Sequence, residues 1–255
     1  MRPTIPEQAR VLSLPGAEVP ALVFHPEAPA RAPAVLFFHG LRASKEVQRK
    51  EGRSLAEAGF AAVVVDAPHH GARRSERLEQ LRAAEGDAAD LIFFNMVREA
   101  ADEVPGLVSL LLAEGHPAVA IAGISMGGYI ALAGAVAEPR LVAVVSILGS
   151  PDWTPDSGVV APELAEVVAA DPMHRRERLV PRPLLLLNAG RDTHVRPEGA
   201  RALAAALRPR YADAPGRLVH REYPEADHFM GERDWGDLWA TTLAFLTRFV
   251  PRGEV

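Results

Sequence analysis

The stretch Val119-Ala120-Ile121-Ala122-Gly123-Ile124-Ser125-Met126-Gly127-Gly128 decides the reading of this chain. A short apolar strand at Val119 to Ala122 runs into a glycine-flanked turn, and a helical pattern follows from Met126 to Ala137. Gly123-x-Ser125-x-Gly127 between a strand and a helix matches a nucleophile elbow. The requirement is space. The turn forces the serine into a strained conformation, and the residues two before and two after it crowd each other unless they lack side chains. The serine oxygen then stands above the strand end, and Gly128 permits close helix–strand packing. Other glycine-rich turns fit worse. A phosphate loop needs a Lys after the glycines, and Ser125 and Met126 break the spacing of a dinucleotide fingerprint.

Outward from this turn, short apolar runs alternate with amphipathic stretches. Residues 9–14 and 20–25 read as a hairpin across Pro15-Gly16-Ala17-Glu18, and a proline-rich link at 26–33 leads to the central strand Ala34-Val35-Leu36-Phe37-Phe38. A helix is expected from Ser44, as its N-cap, to Ala58, with Gly59 as the stop. A strand at Ala61 to Val65 ends at Asp66, a polar loop covers 67–76, and helices fall at 76–84 and 88–113, the second kinked or divided by Pro105. Strands at 142–148, 184–187 and 217–223 then alternate with an irregular stretch at 151–180 and helices at 197–207 and 235–249.

Repeated strand–helix units with continuous apolar strands imply α/β architecture: a mostly parallel, doubly wound sheet in one domain over residues 1–255. Right-handed crossovers put the strand C-terminal ends along one edge, where ligands bind. Segments 67–96 and 151–180 are placed to form short lids over that edge.

A serine needs a base within hydrogen-bond reach to attack a carbonyl at neutral pH. The elbow resembles that of α/β-hydrolases, whose chain order of Ser, acid, His puts the base late. His228, in Glu225-Ala226-Asp227-His228-Phe229 after the last strand, fits that place. His220 lies inside a strand, and His116 and His174 come too early. Asp192, in Asn188-Ala189-Gly190-Arg191-Asp192-Thr193-His194-Val195, follows the preceding strand and is placed to orient the imidazole. Asp152 is the competing acid, and Asp227 reads as a turn residue. After the first central strand, Phe38-His39-Gly40-Leu41 supplies the other half of an oxyanion hole. The N–H groups of Leu41 and Met126 are the expected donors, with Gly40 letting the backbone come close.

His39-Gly40, Gly123-x-Ser125-x-Gly127, Gly190-x-Asp192-x-x-Val195 and Asp227-His228-Phe229 together resemble the α/β-hydrolase superfamily from about residue 20 to 250. The Gly-Arg-Asp-Thr-His-Val block and the short cap are similar to the dienelactone-hydrolase-like and prolyl-oligopeptidase-like serine esterases. Ala67-Pro68-His69-His70-Gly71-Ala72-Arg73-Arg74 resembles a small-esterase group of that branch. True dienelactone hydrolases use a Cys nucleophile, and this chain has no cysteine. The resemblance implies a serine carboxylester hydrolase using neither cofactor nor metal. Its rivals are a peptidase of the prolyl-oligopeptidase-like type and a non-catalytic binding member of the fold.

Composition sets the outer bounds. The 255 residues are 48% hydrophobic and 24% charged, which excludes disorder and coiled coil. With 28 basic against 33 acidic residues the net charge is −5, which argues against nucleic acid as a partner. No run approaches the ~18 apolar residues that span a bilayer. The N-terminus lacks the apolar core of a secretory signal, so a cytoplasmic protein acting on a small-molecule ester is expected. His69 and His70 near Asp66 suit a loop better than a metal site, since adjacent residues seldom face one ion. Leu91-Ile92-Phe93-Phe94-Asn95-Met96 is too apolar for a surface helix. Phe94, with Trp153, Phe229 and Met230, is expected to line a modest acyl pocket over Ser125.

Overall fold

The computed structural model of the chain describes residues 5–27, 31–155 and 158–251. The first four residues, 28–30 of the proline-rich link, 156–157 of the second lid segment and the last four residues lie outside that description. Strands β1 (Glu7–Leu14), β2 (Ala17–Phe24) and β3 (Ala34–Phe38) precede helix α1 (Arg49–Glu57), β4 (Ala61–Val65), α2 (Arg77–Ala83) and α3 (Gly86–Ala113). Then come β5 (Val119–Ile124), α4 (Met126–Ala137), β6 (Val144–Ile147), α5 (Ala165–Ala169), β7 (Leu184–Ala189), α6 (Glu198–Leu207), β8 (Leu218–Tyr223) and α7 (Glu232–Phe249).

The strands form one eight-stranded sheet in the order β1-β2-β4-β3-β5-β6-β7-β8. β1, β2 and β4 pair antiparallel, and every pair from β4 through β3 to β8 is parallel. The five strands β3 to β7 are buried at every position, as continuous apolar runs in a doubly covered sheet require. Alternate residues feed two cores. Leu36, Phe38, Val119 and Ile121 pack beneath α3, α4 and α6, whereas Val35, Phe37, Ala120 and Ala122 pack beneath α1 and α7. Among the described residues no helix is long and apolar enough to cross a membrane.

Two expectations needed tertiary information. The stretch from Ser44 is a 3₁₀ turn at Lys45–Gln48 followed by α1, and the Ser44 side chain makes no capping bond. The Lys45 N–H donates instead to Asp66 Oδ1 at 2.9 Å, so the anchor lies in another strand's loop. Pro105 does not divide its helix, and α3 runs unbroken through it. A proline removes one backbone donor; here Val104, Leu107 and Val108 beside it are fully buried in the core shared with α4, and the helix continues past it.

The elbow is where backbone meets backbone. A Cβ on Gly123 would lie 2.1 Å from the Gly127 carbonyl oxygen, and one on Gly127 would lie 2.1 Å from that of Phe38. Since neither neighbour is a flexible side chain, the contact between β5, α4 and the end of β3 cannot accommodate a methyl group. We expect Gly127→Ala to lower stability by about 3 kcal/mol, the upper end of the usual cost of overpacking. Urea unfolding measures it, and a variant as stable as the parent would contradict this packing.

Candidate active site

Ser125 sits between the last residue of β5 and the first of α4 with φ 55 and ψ −117, outside the regions that side chains favour. Its N–H donates to the Ile147 carbonyl at 2.8 Å, tying the turn to the end of β6. Its Oγ lies 3.0 Å from His228 Nε2, and His228 Nδ1 lies 2.7 Å from Asp192 Oδ2. Asp192 Oδ1 accepts the N–H groups of His194 and Val195, both at 2.8 Å. With a carboxylate oxygen facing Nδ1, the imidazole carries its proton there, and Nε2 is left to accept from the Ser125 hydroxyl. Burial pushes the Asp192 carboxyl up, but the bonds from His228 and the two backbone N–H groups outweigh it, so its pKa is lowered.

The structure therefore brings together the three side chains expected from the loops after β5, β7 and β8. The competitors are occupied elsewhere. Asp152 accepts the Thr154 N–H at 2.9 Å in a local turn, and Asp227 accepts that of Phe229 at 2.9 Å. His116 bonds the Ala32 carbonyl and His174 bonds Asp171. Met126 opens α4, so its N–H has no acceptor within the helix. Gly40 lies against the serine: a Cβ there would be 3.6 Å from both Ser125 Cβ and the Ile124 oxygen. That is ordinary contact, so the fold tolerates a side chain at this position, and what it would occupy is space beside Ser125.

A cavity of about 1240 Å³ opens in front of Ser125 and His228. Phe94 and Phe229 line it as expected, together with Leu41. Trp153 and Met230 do not. Trp153 is 1% exposed and stacks behind Phe94 at 5.3 Å and 3°, so it backs the wall without facing the cavity. Met230 is buried in the opposite core with Leu238 and Phe245. Phe93, from the apolar segment 91–96, lines the cavity beside Phe94, and Tyr129 and His194 line it without having been singled out for the pocket. Tyr129 lies one helical turn beyond Ser125, a spacing that signals it; Phe93 meets Tyr129 edge-on at 5.3 Å; and His194 lies 5.2 Å from the His228 ring. Segments 67–96 and 151–180 both contribute lining, through Leu81, Phe93 and Phe94 and through Asp152 and Thr154. The space exceeds the modest pocket expected.

This chain matches the dienelactone hydrolase family over residues 19–236. It belongs to that family. The esterase YjfP of Escherichia coli strain K12 is 28% identical over 239 residues, covering 82% of this chain and 92% of the relative. The crystal structure of TT1662 from Thermus thermophilus matches with TM-score 0.69 at 29% identity, over 96% of this chain and 98% of that one. Acylaminoacyl peptidase of Pyrococcus horikoshii shares the fold at TM-score 0.75 and 18% identity, over 100% of this chain but 43% of that one. The protein is thus a hydrolase with the α/β-hydrolase fold. Within the dienelactone hydrolase family, it carries Ser125 on its elbow and no cysteine anywhere.

Behind the site, the loop after β4 holds two histidines with different surroundings. His69 bonds Ser75 at 2.7 Å and Glu99 at 2.6 Å near the surface. His70 is fully buried, donates to the Pro68 carbonyl at 2.8 Å, and leaves Nε2 without a partner among the described residues. Burial pushes its imidazole down to about 4. The unfolded chain, where a histidine titrates near 6.5, therefore binds more protons across the window between those values. Stability rises with pH there and is lost as pH falls from about 6.5 toward 4. We expect His70 to account for about 3 kcal/mol of that loss by pH 4. Urea unfolding at a series of pH values should show a shallower acid dependence for His70→Phe, and parallel curves for the two proteins would refute the assignment.

Proposed function

We propose that the protein is a serine esterase that cleaves carboxylic esters of short-to-medium acyl chains through an acyl-enzyme. The observation that carries this reading is the unbroken hydrogen-bond chain Asp192–His228–Ser125, with the hydroxyl at the head of the cavity. His228 Nε2 takes the Ser125 proton as Oγ attacks the ester carbonyl, and Asp192 stabilises the imidazolium. The N–H groups of Leu41 and Met126 receive the developing oxyanion, a donor role worth about 2.7–4 kcal/mol each in the transition state. His228 then protonates the departing alkoxide, and a water activated by the same nitrogen releases the acid and regenerates Ser125.

A cavity near 1240 Å³ is roomier than the ~300–1,000 Å³ of most small-molecule sites, which suits acyl and alcohol groups bound together. Phe93, Phe94 and Tyr129 give it an apolar wall for the acyl part. The peptidase reading draws on a structural neighbour that shares the fold alone.

Ser125→Ala should lose turnover by several orders of magnitude while keeping its circular dichroism. A fluorophosphonate should label the parent and not this variant. A folded variant with more than about a tenth of parental turnover would sink the mechanism. Asp192→Asn should cost about 10⁴ in turnover by favouring the wrong imidazole tautomer, with Asp152→Asn far milder. The reverse ranking would move the acid to Asp152 and leave Ser125 and His228 in place. In a panel of esters and matched peptides, short and medium acyl esters should lead, and a steady rise in kcat/KM out to long chains would contradict a bounded acyl pocket.

A further inference from the structure

We propose that His39 is a positioning residue that orients the peptide carrying the Leu41 N–H toward the oxyanion; this rests on the esterase reading above. The argument starts from the two ring nitrogens. His39 is completely buried, and Nε2 lies 3.2 Å from the Ala67 backbone nitrogen. A backbone N–H can only donate, so Nε2 is the unprotonated nitrogen. The proton therefore sits on Nδ1, which lies 2.8 Å from the Gly40 carbonyl oxygen and donates to it. Burial pushes the imidazole down, against the pull of that carbonyl and of nearby Asp66, which keeps the ring in this neutral tautomer.

The Gly40 carbonyl and the Leu41 N–H belong to one planar trans peptide, so they point in opposite directions. Holding the oxygen on a buried imidazole turns the N–H outward, where Gly40 and Leu41 line the cavity. The peptide cannot rotate toward solvent without leaving a buried Nδ1–H unbonded, and Ala43 N–H adds a second bond to the same oxygen at 3.2 Å. The far end of the loop is tied down from the same strand. Asp66, also fully buried, accepts the Lys45 N–H at 2.9 Å and Lys45 Nζ at 2.7 Å, and the Ala72 N–H at 2.9 Å. Asp66 and Ala67, just after β4, thus clamp the loop 40–45 at both ends, and His39 passes that constraint to the peptide beside Ser125.

The chemistry separates this role from mere packing. Asparagine places an amide N–H close to Nδ1, glutamine places its amide close to Nε2, and phenylalanine keeps the bulk with neither. On esters of the panel, His39→Phe and His39→Gln should lower kcat by about 10²-fold with KM little changed, as when an oxyanion donor is lost. His39→Asn should recover most of that loss. A trifluoromethyl ketone, which forms a tetrahedral adduct with Ser125, should weaken in the Phe and Gln variants by a similar factor. Affinity for the alcohol product, which presents no carbonyl oxygen to those N–H groups, should hold. Equal losses in all three variants, tracking a lowered Tm, would overturn the proposal. So would a folded His39→Phe with kcat and ketone affinity within about threefold of the parent while Ser125→Ala is inactive. An active Ser125→Ala would instead overturn the esterase reading on which this rests.

Discussion

The contact on which the site depends is the one between bare backbones at the elbow. Gly127 approaches the Phe38 carbonyl and Gly123 approaches Gly127 so closely that no side chain fits at either position. This closeness fixes three things at once. It holds Ser125 at a positive φ that a serine would leave if released, at a cost of about 1–3 kcal/mol carried by the surrounding fold. It sets the start of α4 directly against the end of β3, so the Met126 N–H and the Gly40–Leu41 peptide flank one serine. It also leaves Ser125 Oγ above the sheet edge, where the loop after β8 reaches it.

Everything else at the edge is arranged by parallel strand pairing. Because β4, β3, β5, β6, β7 and β8 run the same way, Asp66, His39, Ser125, Asp192 and His228 all emerge from C-terminal ends. Long-range order is then kept by hydrogen bonds between neighbouring loops. Ala67 holds His39 across β4 and β3, Ile147 holds the Ser125 N–H across β6 and β5, and the Ala226 carbonyl accepts the Arg191 N–H across β8 and β7. A strand end displaced by one residue would put its side chain on the other face of the sheet.

What the sequence made legible follows from how locally each feature is determined. The glycines around Ser125 are a steric requirement within five residues, so they declare the elbow by themselves. Asp192 and His228 were readable because each directly follows a recognisable strand. Features that depend on distant partners were hidden. Pro105 reads as a break because it lacks a backbone donor, but its helix continues through it, buried in a core that also contains residues of α4. Ser44 reads as a cap, but its side chain makes no capping bond, and the turn is anchored through the Lys45 N–H by Asp66, 21 residues on. Trp153 and Met230 are apolar and lie in the loops after β6 and β8, yet their side chains turn away, one behind Phe94 and the other into the second core. Proximity in sequence does not fix the direction of a side chain on an irregular loop. On the regular helix α4 it does, and Tyr129 was within reach of a simple i, i+4 argument.

Asp192 extends the same constraint from geometry to charge. Both of its oxygens are committed, Oδ1 to two backbone N–H groups and Oδ2 to the imidazole. A carboxylate that accepts from three donors is held ionised, since those bonds stabilise its charge and lower its pKa against the effect of burial. In the proposed reaction the proton taken from Ser125 therefore stays on His228, where it forms an ion pair with a carboxylate that is 4% exposed. Transfer onward to Asp192 is disfavoured, because His228 and the two backbone N–H groups stabilise its charged form and lower its pKa. The proton's way out is back through Nε2, the nitrogen beside Ser125, to the group leaving the substrate. The order of attack and departure thus follows from which nitrogen the buried carboxylate occupies.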